Sequence, residues 1–344
     1  MRSRPHARPL IPEVQILRGI AVLLVLAGHV QSVGAQHFED PLLGLFARAG
    51  FAGVDVFFVI SGYIIHTLFS GGRIDLRFFL DRANRIFPLY WLYTLILVGG
   101  MIAMGAVVME PENSPGFWVS FFLLPQWDPP ILPVGWTLTH ELYFYLVYGL
   151  WLGLPRRLKP WAAGVWAAAS LLVGGAHSGF TPESRIVFSL FNLQFLAGAL
   201  LAQYEFKLAR IRLIFPVLIL GCGGAALILI GLYSEAVVTD PRPRVALFGP
   251  LAVGIVGTML TYGHGLRSTW LERIGDWSYS LYLSHLLVLT TVGLVISRMV
   301  DDGLLGAVGY YVLGLAACLI WAAISFYWAE RPLLRLGKRF IRGA

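Results

Sequence analysis

The chain has 344 residues, of which 57% are apolar and only 13% charged, with a mean hydropathy of +0.72. A soluble domain carries about 25% charged residues, so there is too little charge here to cover a water-facing surface, and soluble, disordered and collagen-like classes are excluded. The net charge of +7 therefore matters through where the charges sit along membrane spans, and nucleic acid is not an expected partner.

Apolar runs of span length recur at 12–34, 50–70, 86–109, 137–154, 161–176, 186–204, 213–233, 245–262, 277–297 and 304–328. A helix needs about 20 apolar residues to cross the hydrocarbon layer. The runs lack the alternation of a membrane β-barrel. The expected fold is an all-α polytopic membrane protein with about ten transmembrane helices. With a cytoplasmic N-terminus, 21 of the 26 Lys and Arg fall in cytoplasmic segments; only Arg48, Arg185, Arg242, Arg244 and Arg298 fall outside. This bias places both termini in the cytoplasm. Basic Met1–Arg8 and the apolar run after it resemble a signal peptide. The run exceeds a signal core and a second span follows at once, so the first helix is expected to be retained. Residues 115–136, rich in Phe, Trp and Pro, read as an aromatic segment at the outer interface. Cys222 and Cys318 lie mid-run and suggest no disulfide. The chain is expected to be a single domain over 1–344 with no fused soluble domain.

Ionisable groups inside spans cost about 3 kcal/mol or more, so each needs a reason. The first span carries Arg18 near its cytoplasmic end and His29 in its outer half, about 16 Å apart along a helix. The plain readings are a snorkelling anchor for Arg18 and an interhelical hydrogen bond for His29. The second span, descending from outside, places Asp55 level with His29, with Gly53 and Gly62 suited to close helix approach. His66, lower in that span, has no evident partner and reads as structural. The basic loop that follows carries Arg82 and Arg85 three residues apart, on one helix face. That arrangement suits a bidentate phosphate clamp or simple positive-inside anchoring. The fourth span opens with Trp136 and brings Glu141 and Tyr143, with Glu141 at the depth of His29 and Asp55. The neighbouring His140 reads as interfacial packing. The ninth span carries Ser278, Ser280, Tyr282 and His285, of which Ser278, Tyr282 and His285 recur at helical spacing as a polar stripe. Phosphate-suited arginines thus gather at the cytoplasmic face, and a His with two carboxylates in the outer half.

These stretches also form a family pattern. Arg18 followed by His29, Gly53-Val54-Asp55-Val56-Phe57-Phe58-Val59-Ile60-Ser61-Gly62-Tyr63, Arg82 to Arg85 with Pro88-Leu89-Tyr90-Trp91, Gly135-Trp136-Thr137-Leu138 to Glu141, Ser278 through His285, and Glu330-Arg331-Pro332 run in order along the chain. The sequence resembles the acyltransferase 3 family of bacterial integral membrane O-acyltransferases, and within it the short members that acetylate exopolysaccharide. The resemblance implies a multi-pass protein of the bacterial inner membrane. It would take an acyl group, expected to be acetyl, from cytoplasmic acyl-CoA and pass it to a hydroxyl of an extracytoplasmic carbohydrate or lipid-linked oligosaccharide. It implies Arg18, Arg82 and Arg85 at the donor and His29 as general base. Glu141 or Asp55 would orient the imidazole, and Trp136, Tyr143, Ser278, Ser280, Tyr282 and His285 would supply substrate or oxyanion contacts. No metal or resident cofactor is expected. Direct transfer and an acyl-His29 intermediate are both open, as are two other classes: a proton-coupled transporter and a non-enzymatic component of a polysaccharide export assembly.

Overall fold

The computed structural model describes residues 12–38, 44–70, 76–103, 105, 116–174, 181–233, 239–300 and 303–343. Basic Met1–Arg8, Arg73 and the start of the aromatic stretch at Pro115 lie outside the described residues. The helices are α1 (Pro12–Gly34), α2 (Gly44–Ala49), α3 (Ala52–Phe69), α4 (Leu76–Ala103), α5 (Phe117–Phe121), α6 (Trp136–Gly153), α7 (Lys159–Leu172), α8 (Pro182–Val187), α9 (Asn192–Gln203), α10 (Ile214–Tyr233), α11 (Pro241–Tyr262), α12 (Thr269–Ile296), α13 (Leu304–Ser325) and α14 (Arg331–Gly343). No strand occurs among the described residues, and the chain is an all-α polytopic membrane protein.

Helices occupy all ten expected positions, but eight of the described segments are long and apolar enough to cross a membrane. The expected spans at 137–154 and 161–176 form α6 and α7, which fall short of that standard. Helix α6 has 18 residues and carries His140 and Glu141; α7 has 14 residues, about 21 Å at 1.5 Å per residue. The expected run 186–204 divides into α8 and α9 on either side of residues 188–191. In the other direction, the basic loop before Pro88 joins the third span, so α4 is one helix of 28 residues. The aromatic segment folds into short α5, held against α4 where Trp91 Nε1 donates to the Phe121 carbonyl at 2.9 Å and Tyr90 donates to that of Ser120 at 2.7 Å.

Helix α1 is the central post. It packs against α12 and α3; α3 in turn packs against α9 and α11, and α13 covers α12. Small residues set these crossings. A Cβ on Gly275 would lie 2.0 Å from the Gln15 carbonyl oxygen, and one on Gly62 would lie 2.0 Å from that of Phe195. Only glycine allows backbones to approach so closely, and the Gly53 and Gly62 reading is met. Leu172, Leu220 and Leu305 stand about four-fifths exposed on the outer faces, where apolar side chains meet lipid instead of water.

Candidate active site

A cavity of about 520 Å³ opens between α1, α3, α4, α6 and α12. One end carries the cations the sequence singled out. Arg18 donates from Nη1 to Gln15 Oε1 at 3.1 Å and from Nη2 to Ser278 Oγ at 2.8 Å. Arg82 lies over the rings of Phe69 and Tyr145, 5.6 and 5.9 Å from their centroids. Arg85 lines the same cavity but is committed elsewhere: it forms an ion pair with Glu330 and stacks over Tyr279 at 4.9 Å. Glu330 is 1% exposed and accepts a second bond from Ser280 at 2.7 Å. The two expected clamp arginines are therefore not equivalent. Ser280 also faces Glu330 and does not line the cavity, which corrects its expected place among substrate contacts.

The other end is walled by Val54, Phe57, Thr137 and Tyr282. Tyr282 is pinned there by Thr137 Oγ1 at 2.8 Å and the Val134 carbonyl at 3.1 Å. Its ring meets Phe57 edge-on at 6.2 Å. Beyond it stand two histidines outside the cavity: His285 is 5.8 Å from Tyr282, and His29 is 4.7 Å from His285, centroid to centroid. The ring contacts thus run from the cavity wall at Tyr282 through His285 to His29.

Both imidazoles have a fixed tautomer. His29 Nδ1 lies 2.9 Å from the Val25 carbonyl, and His285 Nδ1 lies 2.7 Å from that of Tyr282. A carbonyl only accepts, so each Nδ1 carries the proton and each Nε2 presents a lone pair. In His29 that leaves Nε2 as the ring nitrogen able to accept a proton. In His285, which is 1% exposed, Nε2 has no hydrogen-bond partner among the described residues. Neutral His285 therefore accepts at Nε2 and cannot donate to an oxyanion from it, a correction to its expected role.

The expectation that Glu141 or Asp55 orients His29 is also corrected. Glu141 lines the cavity and accepts from Tyr145 and, at 3.4 Å, from Ser61. Asp55 is 0% exposed, pairs with Arg244 at 3.1 Å and accepts from Gln194. A buried carboxylate needs a cation and further donors to offset its lost hydration, and Asp55 has both. Arg244 is the residue that sequence reasoning missed. Pro241 and Pro243 look like loop residues, yet Asp240 caps α11 by accepting from the Arg242 amide at 2.9 Å with Pro at the first turn, a pattern that starts helices. The signal was there: an acid inside one span calls for a base near another. Phe51 joins this pair to the histidines, since its ring lies 4.9 Å from His29 and its carbonyl accepts from Arg244 at 3.2 Å.

The other expected contacts sort out by packing. Trp136 stacks among Phe58, His140 and Phe191 with Arg244 over its face, so it belongs to the Asp55–Arg244 wall. His140 is buried in the same cluster with Nδ1 bonded to the Trp136 carbonyl at 2.9 Å, as packing predicts. Tyr143 points to the Val187 carbonyl at 3.4 Å and does not line the cavity. His66 has a partner after all, the Tyr148 hydroxyl at 3.2 Å.

Comparisons with known proteins identify the family of the chain. A family model described as an acyltransferase domain matches residues 11–327. The exopolysaccharide production protein ExoZ of Rhizobium meliloti (strain 1021) is 32% identical over 307 residues, covering 84% of this chain and 91% of that protein. The peptidoglycan O-acetyltransferase OatA of Listeria monocytogenes is 26% identical over 98% of this chain, which spans 58% of that protein's length. The acyltransferase MdmB of Streptomyces mycarofaciens is 28% identical, over 81% of this chain and 79% of its own. No solved structure matches the chain.

Proposed function

Since the chain belongs to the acyltransferase 3 family, we propose that it is an O-acyltransferase of the bacterial inner membrane that carries an acetyl group from cytoplasmic acetyl-CoA to a hydroxyl of an extracytoplasmic carbohydrate, an exopolysaccharide or its lipid-linked precursor. Both termini lie in the cytoplasm in this reading. The names of the relatives support the chemistry: one is a peptidoglycan O-acetyltransferase and one an exopolysaccharide production protein. Family membership favours an enzyme over a transporter or a scaffold.

The observation that carries the reading is the cavity's polarity: cations at one end, and a wall of Phe57 and Tyr282 at the other with His285 and then His29 behind it. The donor's phosphates lie among the cations and its pantetheine arm runs inward, bringing the thioester to that wall. His29 Nε2 takes the proton of the acceptor hydroxyl as its oxygen bonds to the thioester carbonyl carbon. The carbon–sulfur bond breaks, the imidazolium returns the proton to sulfur, and free CoA leaves beside the new ester. General base catalysis of this kind contributes about 10²–10⁴-fold. The bond from His29 Nδ1 to Val25 keeps Nε2 available without a carboxylate.

The test is thermal stabilisation of the detergent-purified chain by acetyl-CoA beside free CoA and ATP, followed by transfer assays on His29→Ala. Acetyl-CoA binding raises the melting point by mass action. A melting point unmoved by any CoA species, in protein shown to be folded, overturns the donor assignment.

A further inference from the structure

Helix α14 begins after the family match ends at residue 327, yet Leu334 and Lys338 of α14 line the cavity beside Arg82. Two contacts bring it there. Asn84 Nδ2 donates to the Leu334 carbonyl at 3.2 Å, and a Cβ on Gly337 would lie 1.7 Å from Asn84 Oδ1. Glycine at 337 therefore lets α14 lie directly on α4, with the next residue, Lys338, at the cavity.

The charges around the cavity are not all available. The ion pairs among the described residues are Arg85–Glu330, Arg244–Asp55, Arg242–Asp240 and Arg267–Glu272. Arg18, Arg82 and Lys338 are in none of them. Of the lining carboxylates, Glu141 is bonded to Tyr145 and Ser61, Asp276 accepts from Gln15 at 2.7 Å, and Asp81 completes the set. The Nε of Arg82 is buried and has no hydrogen-bond partner among the described residues. A desolvated guanidinium donor without an acceptor is costly and is satisfied when an anion binds. Arg85 is the opposite case, since an anion reaching it competes with Glu330.

We propose that Arg82 and Lys338 hold the donor's phosphates, the diphosphate on the more buried Arg82 and the 3′-phosphate on exposed Lys338, while Arg85 serves as the structural partner of Glu330. The assignment rests on the acyl-CoA reading above and deepens it. It follows CoA's own order, in which the 3′-phosphate lies beyond the diphosphate when pantetheine enters first.

Binding of CoA and of 3′-dephospho-CoA to the purified full chain, measured by calorimetry, separates the parts. Wild type prefers CoA by about tenfold, the size of one charge-assisted contact. Lys338→Gln abolishes that preference, Lys338→Arg restores it, and Arg82→Gln weakens both ligands alike by about tenfold. The double variant Arg85→Gln/Glu330→Gln, which leaves no unpaired charge, binds CoA within about twofold of wild type. A Lys338→Gln protein that keeps the full preference overturns the proposal, as does a folded double variant that has lost CoA binding. Should the double variant not fold, Lys338→Gln, on an exposed helix face, still decides. Wild type that binds neither ligand removes the acyl-CoA reading itself.

Discussion

The two ends of the cavity solve the same difficulty, polar groups within a membrane, in opposite ways. At one end Arg18 and Arg82 are held by neutral neighbours and left without carboxylate partners among the described residues. Beyond the other end, outside the cavity lining, Asp55 and Arg244 cancel each other, and both histidines give their Nδ1 protons to carbonyls of their own helices. In the proposed reading a charged donor enters at the first of these places, where the cations have no carboxylate partner among the described residues. The proposed acceptor hydroxyl reacts near the second, where ion pairing removes net charge and the histidines retain lone pairs.

That contrast breaks most severely at His29. His29→Ala should lower acyl transfer by about a thousandfold while acetyl-CoA binding, a property of the other end, stays unchanged by calorimetry. Near-normal transfer would remove His29 as the base. Next comes the buried ion pair: Arg244→Met leaves Asp55 unpaired and should cost about 3–5 kcal/mol of stability, read as a lowered unfolding midpoint in detergent. Adding Asp55→Asn should recover much of the loss, and a pair of equally unstable variants would show that Asp55 and Arg244 are not coupled. The post itself is probed by Gly275→Ala, whose Cβ meets the Gln15 carbonyl; overpacking of this kind costs about 1–3 kcal/mol. An unchanged midpoint would show that α1 and α12 slide apart freely. The smallest effect is expected at Tyr282→Phe, which deletes the bonds to Thr137 and Val134 but keeps the ring, at about 1 kcal/mol. If the ring alone forms the wall, acetyl transfer persists at a reduced rate; complete loss would assign the hydroxyl a part in the chemistry.

Much of this was legible in the sequence, because membrane helices announce themselves by apolar length and their rare charges stand out. Arg18, His29, Asp55, Glu141 and the Ser278–His285 stripe were visible for that reason. What escaped was pairing. Asp55 and His29 share a depth, but depth does not say which helix faces which, and Asp55 turned to α11. Arg244 was hidden by two prolines that mark a helix start as readily as a loop. Glu330 lay in a recognisable motif without a role, since only the fold carries it from the far end of the chain to Arg85. Lys338 looked like one more cytoplasmic anchor until Gly337 was seen to seat its helix on Asn84.

The bond from His29 to Val25, four residues earlier on the same helix, has a consequence for how the protein is made. A base whose tautomer is set by its own helix needs no anionic companion from another segment. Once helix α1 has formed, the Val25 carbonyl is in place to hold the Nδ1 proton, whichever helices pack around it afterwards. In the proposed reading the proton-accepting nitrogen is thus specified by α1 alone, and the other helices have only to enclose it.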